Sequence, residues 1–311
     1  MIDLPALSPQ TAEQTRAGIL RLVLITPARN EEAFIDKTIT SVIKQTVLPI
    51  KWVIVDDGST DATPGILEQY TSNYSWIECL RLSSRAERHF AGKAHALNAG
   101  YERVQRLQYD VIGTLDADIS FDDPTYFEFL LNKFVGNPKL GVAGTPFQEE
   151  AVQYDYRFSR REHVSGACQL FRRECFESIG GYVPLKMGAI DLVAVVTARM
   201  KGWTTHTFTE KFSVHHRKMG TVNADFTRAT FTSGYGDYRV GVHPLWQLFR
   251  SIYQMSRRPI FIGGFLLLAG YVWAAITRAD KPVSPEFVRF RQTEQKRWLA
   301  EYLKRPFGWL R

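Results

Sequence analysis

The chain has 311 residues, 45% hydrophobic and 23% charged, with a net charge of +7. These values exclude a disordered or fibrous protein, leave room for a large core, and favour anionic partners such as nucleotides, nucleic acid or a membrane surface. Three cysteines, Cys79, Cys168 and Cys175, with no C-x-x-C pair, suggest neither a disulfide framework nor a zinc site and read as reduced thiols of a cytoplasmic protein.

Residues 1–19 show no basic stretch followed by an apolar core, so they are expected to be an N-terminal extension and not a secretory signal. From residue 20 short apolar runs alternate with amphipathic stretches. "RLVLITP" (21–27) predicts a strand, "EEAFIDKTITSVIKQ" (31–45) an amphipathic helix and "KWVIVDD" (51–57) a second strand. "TDATPGILEQYTSN" (60–73) predicts a helix with Pro64 in its first turn, a position that tolerates the missing N–H. A strand "WIECLRLS" (76–83), a helix "GKAHALNAGYERVQ" (92–105) and a strand "YDVIGTLDAD" (109–118) complete a β-α-β-α-β-α-β series, the signature of an α/β fold with parallel strands. Beyond it, "LGVAGTPFQ" (140–148) reads as a strand, "CQLFRRECFESIGGY" (168–182) as helical and "GAIDLVAVVTARMKGW" (188–203) as a helix with a glycine stop. "THTFTEKFSVHHRKMG" (205–220) reads as a strand running into a basic loop.

In such sheets ligands bind beyond the carboxyl ends of the strands. Three of these ends carry polar, reactive residues: "TPARNEE" after the first strand, "DDGSTD" after the second and "DAD" after the fourth. Asp116 and Asp118, at i and i+2, have the spacing to reach one divalent cation, although an acidic strand-to-turn pair is a common alternative. In "VIVDDGSTDAT" (53–63) Gly58 permits a tight turn, so that one of Asp56 and Asp57 faces the crevice while Ser59, Thr60 or Asp61 caps the next helix.

The ordered set "TPARNEE", "VIVDDGSTD", "GKAHALNAG", "TLDAD", "GAIDLV" and "HHRKMG" resembles the family 2 glycosyltransferases of the GT-A fold, which use nucleotide-diphosphate sugars. The resemblance covers residues 20 to about 220 and implies a Rossmann-like, mostly parallel central sheet flanked by helices. A C-terminal helical region, 221–311, would contact acceptor and membrane. It also implies site residues. Pro27, Arg29 and Glu31 would line base and ribose, with Arg29 standing where the family often has tyrosine. Val55 and Asp57 would contact the base. Lys93 would help hold the nucleotide or diphosphate, unless it is a solvated lysine at a helix start. Asp116 would bind ribose or a water on the metal, and Asp118 would ligate Mn²⁺ or Mg²⁺. Asp191 matches the general base of inverting members, although Ile190 precedes it where the family often has a second acid; helix capping is its ordinary alternative. His215 would complete the metal shell, with His216 turned the other way by strand alternation, and Arg217 and Lys218 would neutralise the diphosphate. Asp122 and Asp123 read as a cap before "PTYFEFLLNKF".

The apolar run "PIFIGGFLLLAGYVWAAIT" (259–277) lies between Arg257-Arg258 and Arg278, and a basic, tryptophan-containing tail follows. Basic residues on both flanks disfavour a single pass and favour a hairpin or interfacial helix on the cytoplasmic leaflet, with a buried helix or a dimer contact as the alternative. "SGYGDYRVGVHPLW" (233–246) has the composition of a substrate loop. The implied activity is metal-dependent, inverting transfer of a sugar to a hydroxyl of a lipid-linked or polysaccharide acceptor. Polyprenyl phosphate as acceptor, and a non-catalytic nucleotide-sugar-binding protein, are the rivals.

Overall fold

The computed structural model describes residues 18, 20–83, 90–149, 160–217, 226–257 and 259–304. Lys218, Arg258, most of the N-terminal extension and the end of the basic tail lie outside the described residues. The chain divides into two compact units, Met1–Lys218 and Met219–Arg311.

The first unit is built on a seven-stranded sheet of order β3-β2-β1-β4-β8-β6-β9. Its strands are β1 (Leu22–Ala28), β2 (Lys51–Asp56), β3 (Ile77–Arg81), β4 (Val111–Leu115), β6 (Leu140–Gly144), β8 (Cys168–Arg172) and β9 (Thr204–Thr207). The pairs β1/β2, β2/β3, β1/β4 and β6/β9 are parallel, whereas β8 runs antiparallel to both β4 and β6. β1, β2 and β4 are apolar along nearly their whole length because both faces are covered, as a parallel sheet requires. Helices α1 (Ile35–Ile43), α2 (Thr63–Asn73), α3 (Phe90–Val104), α4 (Tyr126–Gly136), α5 (Arg173–Ile179) and α6 (Ile190–Met200) supply the cover. A second sheet, order β5-β10-β7, joins β5 (Ile119–Ser120), β10 (Ser213–His215) and β7 (Phe147–Glu149).

Three sequence expectations need correction. The stretch 168–182 is a strand, β8, followed by the short helix α5; the wholly buried Leu170 and Phe171 serve the sheet and not a helical stripe. The stretch 205–220 holds two strands in two different sheets, since the chain leaves β9 and re-enters as β10 beside β7 and β5. The suspected substrate loop at 233–246 is mostly helix: α7 (Phe226–Arg239) runs through its first half and α8 (Pro244–Met255) begins in its second. Gly234 lies against the backbone of Leu267 and Tyr271, so the glycine content reflects close helix packing.

Cys168 and Cys175 are buried, and Cys79 is partly buried against the core. Burial pushes the Cys79 thiol up to about 11 and those of Cys168 and Cys175 up to about 12. All three therefore stay protonated at pH 8, and the thiolate is the reactive form. Native protein at that pH is expected to resist iodoacetamide, with all three thiols labelling only after denaturation, as read by intact mass.

The second unit contains α7, α8, α9 (Ile262–Ile276) and α10 (Pro285–Lys304). No helix among the described residues is long and apolar enough to cross a membrane.

Candidate active site

The strand order reverses between β1 and β4: the chain proceeds outward from β1 to β2 and β3, then returns to place β4 on the other side of β1. Such a switch point leaves a crevice at the carboxyl ends, where ligands bind in α/β sheets. Pro27 pairs with Val55 and Ala28 with Asp56, so the loops after β1 and β2 leave the sheet side by side.

Those two loops are stitched together. The backbone N–H groups of Asn30, Glu31 and Glu32 donate to Ser59 Oγ (2.9 Å), Thr63 Oγ1 (2.8 Å) and Asp61 Oδ2 (3.1 Å). In return Thr60 N–H donates to Asn30 Oδ1 and Ala62 N–H to Glu32 Oε2, each at 2.8 Å. The two neighbouring aspartates then separate in role. Asp56 is wholly buried, accepts the Ser59 N–H at 2.8 Å and holds the turn. Asp57 lies 3.9 Å from the Arg29 guanidinium and faces Gly92, where an added Cβ would come within 3.2 Å of its Oδ2. Val55 is also wholly buried, between β1 and β3 and with its side chain packed toward Gly100 of α3, so the structure leaves no part of it exposed to a ligand, against the expected base contact.

β4 ends at Leu115, so Asp116 and Asp118 stand past the strand. Lys93, in the first turns of α3, places its Nζ 2.5 Å from Asp116 Oδ1, so it is an ion-pair partner and not a solvated lysine. Burial works against the Lys93 ammonium, but Asp116, Asp191 and Asp118 outweigh it and hold its pKa above the ordinary value. Burial pushes the Asp116 carboxyl up, against the pull of Lys93 and with the help of Asp118 and Asp191. These mutual fields put Asp191 electrostatically in the same cluster.

Asp118 is nearly buried and receives groups from the segment after β10. Arg217 Nε donates to Asp118 Oδ2 at 3.0 Å while its Nη2 bonds Glu31, so one guanidinium joins the loop after β1 to the loop after β4. Burial opposes the Arg217 charge, but Glu31 and Asp118 raise its pKa further. His215 places Nε2 3.7 Å from Asp118 Oδ1. The two adjacent histidines do point apart: His216 Nε2 bonds Ser120 Oγ at 2.8 Å and its ring stacks on Phe34. Asp123 leaves the cluster, accepting from the Thr125 N–H and hydroxyl and pairing with Lys211 at 2.6 Å.

Asp191 lies in the first turn of α6 but does not cap it. The flanking residue is Ala189, in a left-handed conformation with no side-chain cap bond. The Asp191 side chain instead lies on Gly166, just before β8, where an added Cβ would approach its Cβ, Cγ and Oδ2 at 2.9–3.0 Å. Only glycine fits there without moving the carboxylate. Gly166→Ala is therefore expected to displace the Asp191 carboxylate or the loop before β8, which a crystal structure of the variant checks.

The family model described as "Glycosyl transferase family 2" matches residues 23–189. The chain belongs to that family. Among relatives of this family 2 chain is the beta-monoglucosyldiacylglycerol synthase of Synechocystis sp., 28% identical over 194 residues, 55% of this chain and 39% of that protein. The poly-beta-1,6-N-acetyl-D-glucosamine synthase of Staphylococcus epidermidis is 32% identical over 122 residues, 38% of this chain and 26% of that protein. The chain thus spans less than half the length of these relatives. In three dimensions it is similar to the mannosyltransferase PcManGT from Pyrobaculum calidifontis in complex with GDP-Man and Mn²⁺, with TM-score 0.56, 18% identity, and 94% of this chain and 88% of that one covered. S. aureus TarS 1-349 in complex with UDP-GlcNAc gives 0.54 and 12%, covering 88% and 78%. The fold of the family 2 domain is GT-A.

One residue of this domain escaped the sequence reading. Glu149, at the end of β7, is in register with His215 across the β7/β10 pair, with its Oε1 3.5 Å from His215 Nδ1. That nitrogen is buried and makes no hydrogen bond among the described residues. Because β7 and β10 meet only through the tertiary fold, no local motif announces the pair.

Proposed function

We propose that this family 2 domain moves a sugar, with inversion at the anomeric carbon, from a nucleotide-diphosphate donor to a hydroxyl of a lipid-linked or cell-surface polysaccharide acceptor, at the inner face of the cell membrane. The observation that carries this reading is the cluster at the switch point, where Lys93 and Arg217 engage Asp116, Asp118 and Glu31 with Asp191 alongside. A glycolipid synthase and a polysaccharide synthase among the relatives support the acceptor class.

The donor set suits a divalent cation of the Mn²⁺ or Mg²⁺ kind. Among the described residues Asp116, Asp118, Asp191 and Glu31 stand against Lys93 and Arg217, a surplus of carboxylates that a cation would offset. No group of three or more metal-ligating side chains occurs among the described residues, so Asp118 and His215 would supply two donors and leave the remaining positions to diphosphate oxygens and water, as such ions prefer. Bound there, the ion would stabilise the leaving diphosphate as a Lewis acid. Glu149 would keep the His215 ring oriented through Nδ1, and Glu149→Gln is expected to weaken Mn²⁺ affinity about 10–100-fold in an electron paramagnetic resonance titration of free Mn²⁺.

Pro27, Arg29, Glu31 and Asp57 would receive base and ribose, and Asp116 the ribose. Lys93, Arg217 and Lys218 would neutralise the diphosphate. Asp191 would take the proton of the acceptor hydroxyl while that oxygen bonds to the anomeric carbon and the bond from this carbon to the diphosphate oxygen breaks on the opposite side.

A thermal-shift screen over UDP-, GDP- and dTDP-sugars, with and without Mn²⁺, tests the donor site, because a ligand that binds only the native state raises Tm by mass action. A metal-dependent rise with one base is expected; no rise with any of them overturns the reading.

A further inference from the structure

Two helices of the second unit, α8 and α9, turn large apolar side chains outward, against the pattern of a water-soluble bundle. α8 turns Gln247 and Ser251 fully inward and leaves Leu245, Leu248 and Ile252 exposed. α9 buries Gly263, Gly264, Gly270, Leu267, Tyr271 and Ala274, while Phe261, Phe265 and Ile276 are 69%, 64% and 71% exposed, accompanied by Ile262, Val272 and Trp273. Gly264 sits on the Ser251 backbone and beside Met255, so Ile252 and the 260–265 segment fall at the same end of the helix pair. An apolar face of this extent marks a contact surface.

The packing beneath it suggests what covers the face. Gly234 of α7 rests on the Leu267 carbonyl of α9, and Gly270 of α9 rests on the Phe231 carbonyl of α7. Helices that meet backbone to backbone through small residues, with polar groups turned inward, follow the packing rule of an apolar surrounding, where large apolar side chains gain nothing by hiding from the solvent. Charge is complementary to acidic lipid as well: residues 259–277 carry none, and Arg257 and Arg278 bracket them on a chain of net charge +7. Length sets the orientation. The 15 residues of α9 reach about 22 Å, short of the roughly 30 Å hydrocarbon core, and with Arg257 and Arg278 at opposite ends both cations reach headgroups of one leaflet when the helix lies along the surface.

We propose that α8 and α9 insert together into one leaflet of an anionic bilayer, with Leu245, Leu248, Ile252, Phe261, Phe265, Trp273 and Ile276 among the acyl chains and Arg257 and Arg278 at the headgroup phosphates. This deepens the membrane part of the function proposed above and rests on it only for its biological purpose, access to a lipid-linked acceptor.

The test is co-sedimentation of the full chain with vesicles of phosphatidylcholine alone and of equal parts phosphatidylcholine and phosphatidylglycerol. The unaltered protein is expected to pellet with the mixed vesicles and less with the neutral ones. Phe265→Asp and Ile276→Asp should each lower the partition coefficient roughly tenfold or more, the scale of one large apolar side chain returned to water. Circular dichroism should show unchanged helix content, and the nucleotide thermal shift should stay as in the parent. The proposal is overturned if the unaltered protein remains in the supernatant, or if both variants partition like it. It is also overturned if sedimentation velocity shows an oligomer that Phe265→Asp converts to monomer, which makes the face a contact between copies of this chain. Vesicle binding without any nucleotide shift would sink the donor site and leave this inference standing.

Discussion

Asp191→Asn should abolish nearly all sugar transfer to a hydroxyl acceptor while leaving donor binding as it was. The amide keeps the volume that fits against Gly166 but loses the proton-accepting charge, and general-base contributions run to about 10²–10⁴ in rate. Radiolabelled transfer at saturating donor gives the turnover, and a nucleotide thermal-shift titration gives the binding. Retained turnover would mean that the acceptor arrives already ionised, as a polyprenyl phosphate does, and needs no base. Because the carboxylate makes no cap bond at the start of α6, a folding defect is not the expected cause of the loss.

Asp118→Asn should have the second large effect, of a different kind. It removes the carboxylate that faces both His215 and Arg217, so the Mn²⁺-dependent part of the donor thermal shift should vanish and turnover should drop about 10²–10³-fold, the scale for losing one element of charge stabilisation at a leaving group. Stability should move the other way or stay level. Asp116, Asp118 and Asp191 repel one another within the cluster, and Arg217 keeps its bond to Glu31 when Asp118 is neutral. A melting temperature at or above that of the parent in ligand-free buffer, with activity lost, is the expected signature of a residue kept for chemistry at a cost in stability.

Much of the first unit was legible in the chain because its signals are local. The runs 22–28, 51–56 and 111–115 are apolar without alternation, which means burial on both faces, and the helices between them are long enough to cross over. The stretch 168–182 reads as helical because "CQLFRRECF" holds apolar residues at spacings that suit a helix as well as a strand, and only the antiparallel pairing with β4 and β6 settles it. The two helix segments within 233–246 read as loop for a related reason. Their glycines look like loop residues until their contact with the α9 backbone is seen.

The sequence by itself determined the order of the strands and helices in residues 20–120 and the chemical character of the strand ends, since period, charge and turn residues act over a few positions. The resemblance to family 2 glycosyltransferases added the expected site residues Pro27, Arg29, Glu31, Val55, Asp57, Lys93, Asp116, Asp118, Asp191, His215, Arg217 and Lys218. Tertiary structure decided how these groups are paired: Lys93 with Asp116 across 23 positions, Arg217 with Glu31 and Asp118, Asp191 on Gly166, and Glu149 in register with His215. Those partners come from different loops and from two sheets, and a Coulomb or hydrogen-bond interaction depends on distance in space, which local pattern does not encode. The same holds for α9, whose composition only says apolar, while its packing says which side faces outward.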